Sequence, residues 1–331
     1  MKKINLTFDM GDGHIKIAKR EKGRITMHTL QMPENLFKDG QMLAPHLVSD
    51  FIKDLRSQYK LPKGECGLVV PDELVVCRNL NLPAMSEEQL KVNLPFEFTD
   101  YISDEPQKYV YDYALKEMIY DEEGNPKEMN LTAAVMSKES VDAYVNMIRN
   151  AGFSLRVIIP QEIAMTNVMR NALEQNRVSA DKEYCIVNLG YKMTQVFVFK
   201  GETLLVLRNI HLGCEAIDKA IAENENVDEF VARTHRIKNY NDVLDKEYVR
   251  TEYARVALEV RKVINFYRFN NRSSSLQDIY FVGVGSTLKD ICMILSESNE
   301  LTQHSIQELL PPEVEQSADY SAISALGVML Q

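Results

Sequence analysis

The chain carries an internal echo. A strand-like segment, Ile4–Phe8, runs into Asp9-Met10-Gly11-Asp12-Gly13, then a second strand over Ile15–Ala18, a Lys22-Gly23 turn, and a third strand from Arg24 to Leu30. Much further along, Tyr184–Asn188 runs into Leu189-Gly190-Tyr191-Lys192-Met193-Thr194, then Val196–Phe199, Lys200-Gly201, and Leu204–Asn209. Strand, Asp-or-Asn loop with glycine, strand, Lys-Gly turn, strand therefore occurs twice. Glycine lets each loop turn its amides inward, and the Lys-Gly dipeptides suit hairpin turns. An echo at so long a spacing predicts a duplicated half, not a short-period solenoid.

A third glycine turn follows the apolar run Asp278–Val282: Gly283-Val284-Gly285-Ser286, then a helical pattern through Leu295. Strand, glycine turn, helix is a geometry in which helix-start amides can meet a phosphate or nucleoside. Taken alone, such a pattern more often marks an ordinary tight strand-to-helix turn.

Composition narrows the function classes. At 331 residues, with 45% hydrophobic and 26% charged, the chain reads as two or three folded units. Its net charge of −10 opposes nucleic acid and anionic membrane surfaces. Cys66, Cys77, Cys185, Cys214 and Cys292 are scattered without a CxxC pair, so they read as buried free thiols in a reducing compartment. Met1-Lys2-Lys3 leads directly into a strand instead of a secretory segment, and no apolar run is long enough to span a bilayer. The expected location is cytoplasmic. His14 reads as a solvated turn histidine, and His211, His235 and His304 form no metal-binding spacing. Glu223–Glu229 reads as a helix start. Methionines such as Met85, Met118, Met129, Met136 and Met147 read as core filler, with a peptide-accepting groove as the alternative.

The three loops, in this order, resemble those of the actin/Hsp70/sugar-kinase superfamily. A finer resemblance is to the type IV pilus assembly PilM family, relatives of the FtsA division proteins. It is carried by Val76-Cys77-Arg78-Asn79-Leu80-Asn81-Leu82-Pro83-Ala84-Met85-Ser86-Glu87-Glu88-Gln89-Leu90, by Phe96-Glu97-Phe98 with Tyr101-Ile102, and by Val110–Tyr113. Ala133-Ala134-Val135, Asn150–Phe153, Ile210–Gly213 and Val260–Tyr267 continue it along the whole chain. The fold implied is α/β, a duplicated actin-like (ribonuclease H-like) two-domain fold. Residues 1–83 and 158–181 would form the first domain and 84–157 a small α+β (SHS2-like) insertion. Residues 182–213 and 272–331 would form the second domain and 214–271 its helical insertion. Within the first insertion the pattern predicts helix 86–98, strands 109–118 and 129–136, helix 138–151 and strand 154–159. A linking helix over 161–175 and a helix over 253–267 complete the reading.

The resemblance also implies a Mg-ATP site. Asp9, Gly11, Asp12, Gly13 and Lys16 would supply the first phosphate loop, with Asp9 toward the metal. Asn188, Gly190, Lys192 and Thr194 would supply the second. Arg261 and Lys262 would come from the helical insertion, and Gly283, Gly285 and Ser286 from the adenosine loop. The sequence departs from the family pattern throughout. Asp12-Gly13-His14 replaces a serine-rich tip, Asn188 replaces an Asp, and Tyr191-Lys192 fills a tip usually made of small residues. The family's acidic and Lys positions near the ribose fall at Ala232 and His235, and Val284 separates the two glycines of the third loop. A degenerate pocket is expected, with no catalytic residue assigned; Gln161 or Glu162 is the candidate for holding water.

What the resemblance implies about function is a cytoplasmic scaffold or adaptor of a type IV pilus or related secretion machine. It would capture the cytoplasmic tail of a PilN-like bitopic membrane protein between the first domain and the insertion, with a groove wall from Leu80–Leu94. The pilus motor ATPase or platform proteins are further expected partners, and no direct membrane insertion is expected. The alternatives are a functional actin-like ATPase, a small-molecule kinase, and an FtsA-like membrane-tethered filament. The kinase lacks its activating Asp at Asn188. The filament lacks a basic amphipathic terminus, since Ala325–Gln331 is apolar and reads as core.

Overall fold

The structure is a computed structural model that describes residues 3–38 and 40–331, so Met1 and Lys2 of the N-terminal stretch read above lie outside the described residues. In chain order the elements are β1 (Leu6–Met10), β2 (His14–Glu21), β3 (Arg24–Gln31), a small hairpin β4 (Phe37–Lys38) and β5 (Gln41–Met42), α1 (Pro45–Gln58) and β6 (Gly64–Val70). Next come β7 (Val75–Pro83), α2 (Glu87–Asn93), β8 (Tyr109–Tyr120), β9 (Pro126–Ser137), α3 (Lys138–Asn150), β10 (Phe153–Pro160) and α4 (Gln161–Glu174). The second half has β11 (Glu183–Leu189), β12 (Thr194–Lys200), β13 (Thr203–Ile210), α5 (Cys214–Glu225), α6 (Glu229–Lys238) and α7 (Glu247–Asn270). It closes with β14 (Asp278–Val282), α8 (Lys289–Ser298), β15 (Thr302–His304) and α9 (Ile323–Met329).

The echo is a duplication in three dimensions. Two five-stranded sheets run in the same order, β10-β6-β1-β2-β3 and β15-β14-β11-β12-β13. In each, the central strand pairs antiparallel with the hairpin strand that follows it and parallel with the strand on its other side. Every residue of β1 and β11 is buried, as expected for strands covered on both faces. Helices α4 and α9 lie between the sheets. Met165, Val168 and Met169 of α4 join Ala325, Leu326 and Met329 of α9 in one core with Ile25 and Met27 of the first sheet and Ile186, Phe197 and Phe199 of the second. Gly327 makes this contact possible, because a Cβ there would stand 2.1 Å from the Ala164 carbonyl oxygen. The apolar C-terminal run is therefore core, as its composition predicts: every residue from Ile323 to Met329 is buried.

The insertion in the first half differs from the span expected for it. Its three-stranded sheet, β7-β9-β8, includes β7, which pairs with β9 from Val75 against Met136 to Pro83 against Glu128. Helix α3 and strand β10, read as part of the insertion, instead belong to the first sheet. Strand β10 pairs in parallel with β6, and Tyr144, Met147 and Ile148 of α3 join the core of Phe8, Ile17 and Ile52. The expected boundaries at 84 and 157 are thus replaced by 75 and 137, set by which core each apolar face finds. Within the insertion the helix expected over 86–98 ends as an α-helix at Asn93. Ser86 caps it with a reciprocal bond to Gln89, and Pro95 tightens residues 94–98 into a 3₁₀ turn. Helix α7 is longer at both ends than the expected 253–267. Glu223–Glu229 is not one helix start: it spans the end of α5, a left-handed Asn226 and the Asp228 cap of α6.

Candidate functional site

The two hairpins that should cradle phosphates are related by the duplication down to single pairs. In the first, Asp9 lies opposite Lys16, and Lys16 Nζ binds Asp9 Oδ2 at 2.9 Å. In the second, the equivalent register places Asn188 opposite Gln195, and Asn188 Nδ2 donates to Gln195 Oε1 at 3.0 Å. An ion pair in one half is a neutral amide pair in the other. Asp9 is buried and also accepts a hydrogen bond from the Ser324 hydroxyl of α9, so its charge is already compensated within the protein.

The amide pair reaches across to the first half. Gln195 Nε2 donates to Asp72 Oδ2 at 2.9 Å and to Asn209 Oδ1 at 3.1 Å, while the Glu162 amide donates to Asp72 Oδ1 at 3.2 Å. Burial raises the Asp72 pKa to about 7, with the nearby Glu162 and Glu73 carboxylates adding to the rise and the bonds from Glu162 N and Gln195 opposing it. Glu162, the candidate for holding water, thus joins a polar tie between the halves through its backbone.

The loop tips meet directly. Lys192 Nζ binds Asp12 Oδ2 at 2.9 Å, and Asp12 Oδ1 accepts the Gly40 amide at 3.1 Å. Tyr191 lies over Gly13, where a Cβ would stand 2.5 Å from a tyrosine ring carbon, and meets His14 edge-on with centroids 5.8 Å apart. His14 is consequently not a solvated turn residue. It opens β2, and burial pushes its pKa down to about 3, helped by Lys16, Arg233 and Arg236, so the ring is neutral near pH 7. Arg233 of α6 stacks over the Tyr191 ring, 4.2 Å from its centroid, and bonds its hydroxyl. Behind it, the fully buried Asp218 binds Arg236 Nε at 2.5 Å and Arg233 Nε at 3.4 Å.

Above the tips is a crevice of about 920 Å³. Five carboxylates line it (Asp12, Glu34, Glu215, Asp228, Glu229) against two cations, Lys192 and Arg233, each already engaged as described. The first amides of α5, Cys214 N and Glu215 N, donate to the Gly190 and Tyr191 carbonyls and are not presented to an anion.

The other expected site residues make contacts within the local fold. Gly11 N bonds the His14 carbonyl at 3.1 Å. Gly190 is required because a Cβ would meet the Met193 carbonyl oxygen at 2.4 Å. Thr194 is buried and donates to the Leu212 carbonyl at 2.7 Å. Gly283, at φ +82, lies so close to the second loop that a Cβ would stand 2.3 Å from Asn188 Oδ1. Gly285 packs on Leu189, and the Ser286 hydroxyl bonds back to the Gly283 carbonyl at 2.7 Å. Arg261 and Lys262 are not at the crevice lining. They are exposed on α7, where Lys262 pairs with Glu259 at 2.6 Å. Ala232 is buried, and His235 binds Glu225 through Nδ1 at 2.6 Å. Within the Leu80–Leu94 segment expected to wall a groove, Leu80, Leu82, Leu90 and Leu94 form the insertion's own core, while Val92, and Phe96 just beyond it, face outward. Asp72, Gln195 and Arg233 were missed because no motif marks them. Only the bulk of Tyr191, in a tip expected to be small, signalled the closure.

Comparison with known proteins places the chain. The pattern defining the type IV pilus assembly protein PilM matches residues 8–318. The chain belongs to the PilM family. In three dimensions it is similar to a PilM–PilN type IV pilus biogenesis complex, with 19% identity, coverage of 98% of this chain and 97% of that one, and a TM-score of 0.80. It is also similar to the ethanolamine utilization protein EutJ from Carboxydothermus hydrogenoformans, with 12% identity, 98% and 89% coverage and a TM-score of 0.60. A third is MreB5 of Spiroplasma citri bound to ADP, with 10% identity, 98% and 95% coverage and a TM-score of 0.52. No curated protein sequence matches it. The fold of this PilM-family chain is actin-like, and among its described residues no helix is long and apolar enough to cross a membrane.

Proposed function

We propose that this PilM-family protein is a scaffold that captures the cytoplasmic tail of a PilN-like bitopic membrane protein and works without nucleotide turnover. The observation that carries the second half of this reading is Tyr191 seated over Gly13 beside the Asp12–Lys192 ion pair. A phosphate at the loop tips would have to displace that ring and break that pair. It would also enter a crevice with more carboxylates than free cations, and one uncompensated carboxylate about 4 Å away costs on the order of 4 kcal/mol at an effective dielectric near 20. Asp9 and Asn188 offer a metal little, the first being paired and the second uncharged. The residues present therefore do not suit Mg-ATP. Retention of Asp9, Gly11, Lys16 and the glycines Gly283 and Gly285 favours an ATP-binding reading, and the mutual pairing of Asp9 with Lys16 weighs against it.

Tail capture rests on the family and on the partner named for the PilM–PilN complex. The insertion supports it with outward apolar side chains, Val92 at 68% exposure and Phe96 at 72%, and with Tyr101 stacked under Arg78. Recruitment to the inner face of the membrane would follow from the partner. Calorimetry with the synthetic tail of the bitopic protein, with and without Mg-ATP, tests the reading. The expected result is the same affinity in both and a loss of affinity in Phe96→Ala. A tail that binds only when nucleotide is present would overturn it.

A further inference from the structure

The duplication leaves one sheet edge covered and its counterpart bare. In the first half, the outer strand β3 receives a segment from the chain's own C-terminal part. Val314 bridges Ile25 in parallel, the Ile25 amide donates to the Glu313 carbonyl at 2.7 Å, and the Glu315 amide donates to the Ile25 carbonyl at 3.0 Å. Further along, the Asp319 amide donates to the Met27 carbonyl at 3.2 Å, and its carboxylate accepts the Thr29 amide at 3.1 Å. The covering segment, Pro311-Pro312-Glu313-Val314-Glu315, alternates acid with an apolar side chain. It has room to exist because residues 305–322 separate β15 from α9. Between the equivalent β10 and α4 no such residues exist, since β10 ends at Pro160 and α4 begins at Gln161.

Strand β13 is the counterpart of β3, and among the described residues its only strand partner is β12. Beside it a groove of about 320 Å³ runs between β13 and α7, with Val206, Val263, Phe266 and Tyr267 as its apolar lining and Arg208 and Lys262 as its cations. Phe266 is 61% exposed. No carboxylate pairs with Arg208 among the described residues; its guanidinium donates to the adjacent Leu207 carbonyl at 3.1 Å. Arg261 adds a further exposed cation on the same helix. A cationic and apolar strip beside a bare eight-residue edge is unusual on a chain of net charge −10, because an open edge invites pairing with another chain.

We propose that the β13 edge with the α7 groove is a second docking site, for an extended partner segment of alternating acidic and apolar residues. The segment adds as a strand to β13, seats an apolar side chain between Val206 and Phe266, and places a carboxylate at Arg208, with Lys262, which already pairs with Glu259 at 2.6 Å, at the rim of the groove. This is strand addition with pockets for alternate side chains, in the chemistry that the molecule already uses on its own β3. The site shares no lining residue with the interloop crevice and lies outside the inserted sheet, so it stands independently of tail capture.

The test uses the full chain and a synthetic probe, acetyl-Pro-Glu-Val-Glu-Val-Glu-amide, followed by backbone hydrogen exchange and by titration at several salt concentrations. Expected results are protection of amides within residues 203–210, weaker binding as salt rises, and no binding of the same peptide with Lys in place of Glu. Arg208→Glu and Phe266→Ala, both at exposed positions, should keep the wild-type melting temperature and each weaken the probe about tenfold or more. Equal binding to Arg208→Glu, protection elsewhere in the chain, or no binding at all overturns the proposal. So does self-association of the wild type that Phe266→Ala abolishes, which would assign the strip to a second copy.

Discussion

Asp72, on the turn leaving β6, accepts a hydrogen bond at 2.9 Å from Gln195 of β12, and the two residues belong to opposite halves of the duplication. The bond ties the halves together below the loop tips, and it does so through a carboxyl group that burial pushes up to about 7. In the unfolded chain an Asp titrates near 3.9. The folded state therefore holds this proton more tightly, and the stabilisation is fully present below about pH 4 and is lost as pH rises through about 7. The wild type should accordingly lose stability between pH 5 and pH 8 by on the order of 2 kcal/mol more than Asp72→Asn does. Urea unfolding of both proteins at the two pH values measures it; parallel losses would show that Asp72 does not titrate in this range.

Tyr191 and Gly13 make a second contact between halves that can be measured as a coupling. Gly13→Ala places a methyl group 2.5 Å from the ring if nothing moves, so it should cost about 1–3 kcal/mol by overpacking. In a Tyr191→Ala background the ring is gone and most of that cost should vanish. A double-mutant cycle from chemical denaturation should give a coupling of about 1 kcal/mol or more. Additive effects would mean that the ring does not sit over Gly13 in solution.

The fully buried Asp218 is held by two arginines of α6, and this arrangement gives a large, directional expectation. Asp218→Ala leaves Arg236, itself only 4% exposed, without its counter-charge. Breaking a buried pair by removing one partner costs about 3–5 kcal/mol. Because Arg233 also bonds Tyr191, the variant should lose order at the loop tip as well, seen as faster hydrogen exchange in residues 189–193.

How far the sequence spoke for itself depends on the range of the interaction. The duplicated hairpins and their turns were legible because each is a local pattern of strand, glycine and strand, and Asp278–Val282 is a strand with the ends its residues predict. The insertion's limits were not, because β7 and β10 are equally apolar and only three-dimensional pairing decides that one joins the small sheet and the other the large one. The site divides the same way. Asp9 and Lys16 were both singled out from one hairpin, as phosphate-loop residues, and they pair with each other across its register. Asp72 with Gln195 is separated by 123 residues, and no spacing rule connects them. Arg261 and Lys262 were assigned by resemblance to a helix of the family, and a resemblance of that kind does not fix where each side chain points: both are exposed on α7, outside the crevice lining.

Closure of the loop tips makes one last expectation specific to this chain. Wild type and Asp9→Ala should give the same flat calorimetric trace with Mg-ATP, since Asp9 is already committed to Lys16 and Ser324. Opening the tips should change that. Tyr191→Gly exposes the Gly13 backbone, and Asp12→Ser removes the carboxylate nearest the expected phosphate and releases Lys192 from its 2.9 Å pair with that group. Removing one carboxylate at about 4 Å is worth on the order of 4 kcal/mol at an effective dielectric near 20. The double variant should therefore bind Mg-ATP at least about tenfold more tightly than the wild type, a change of about 1.4 kcal/mol, even after the remaining crevice carboxylates take their share. Tight binding by the wild type, lost in Asp9→Ala, would instead mean that the tips open in solution and that the pocket remains a working nucleotide site.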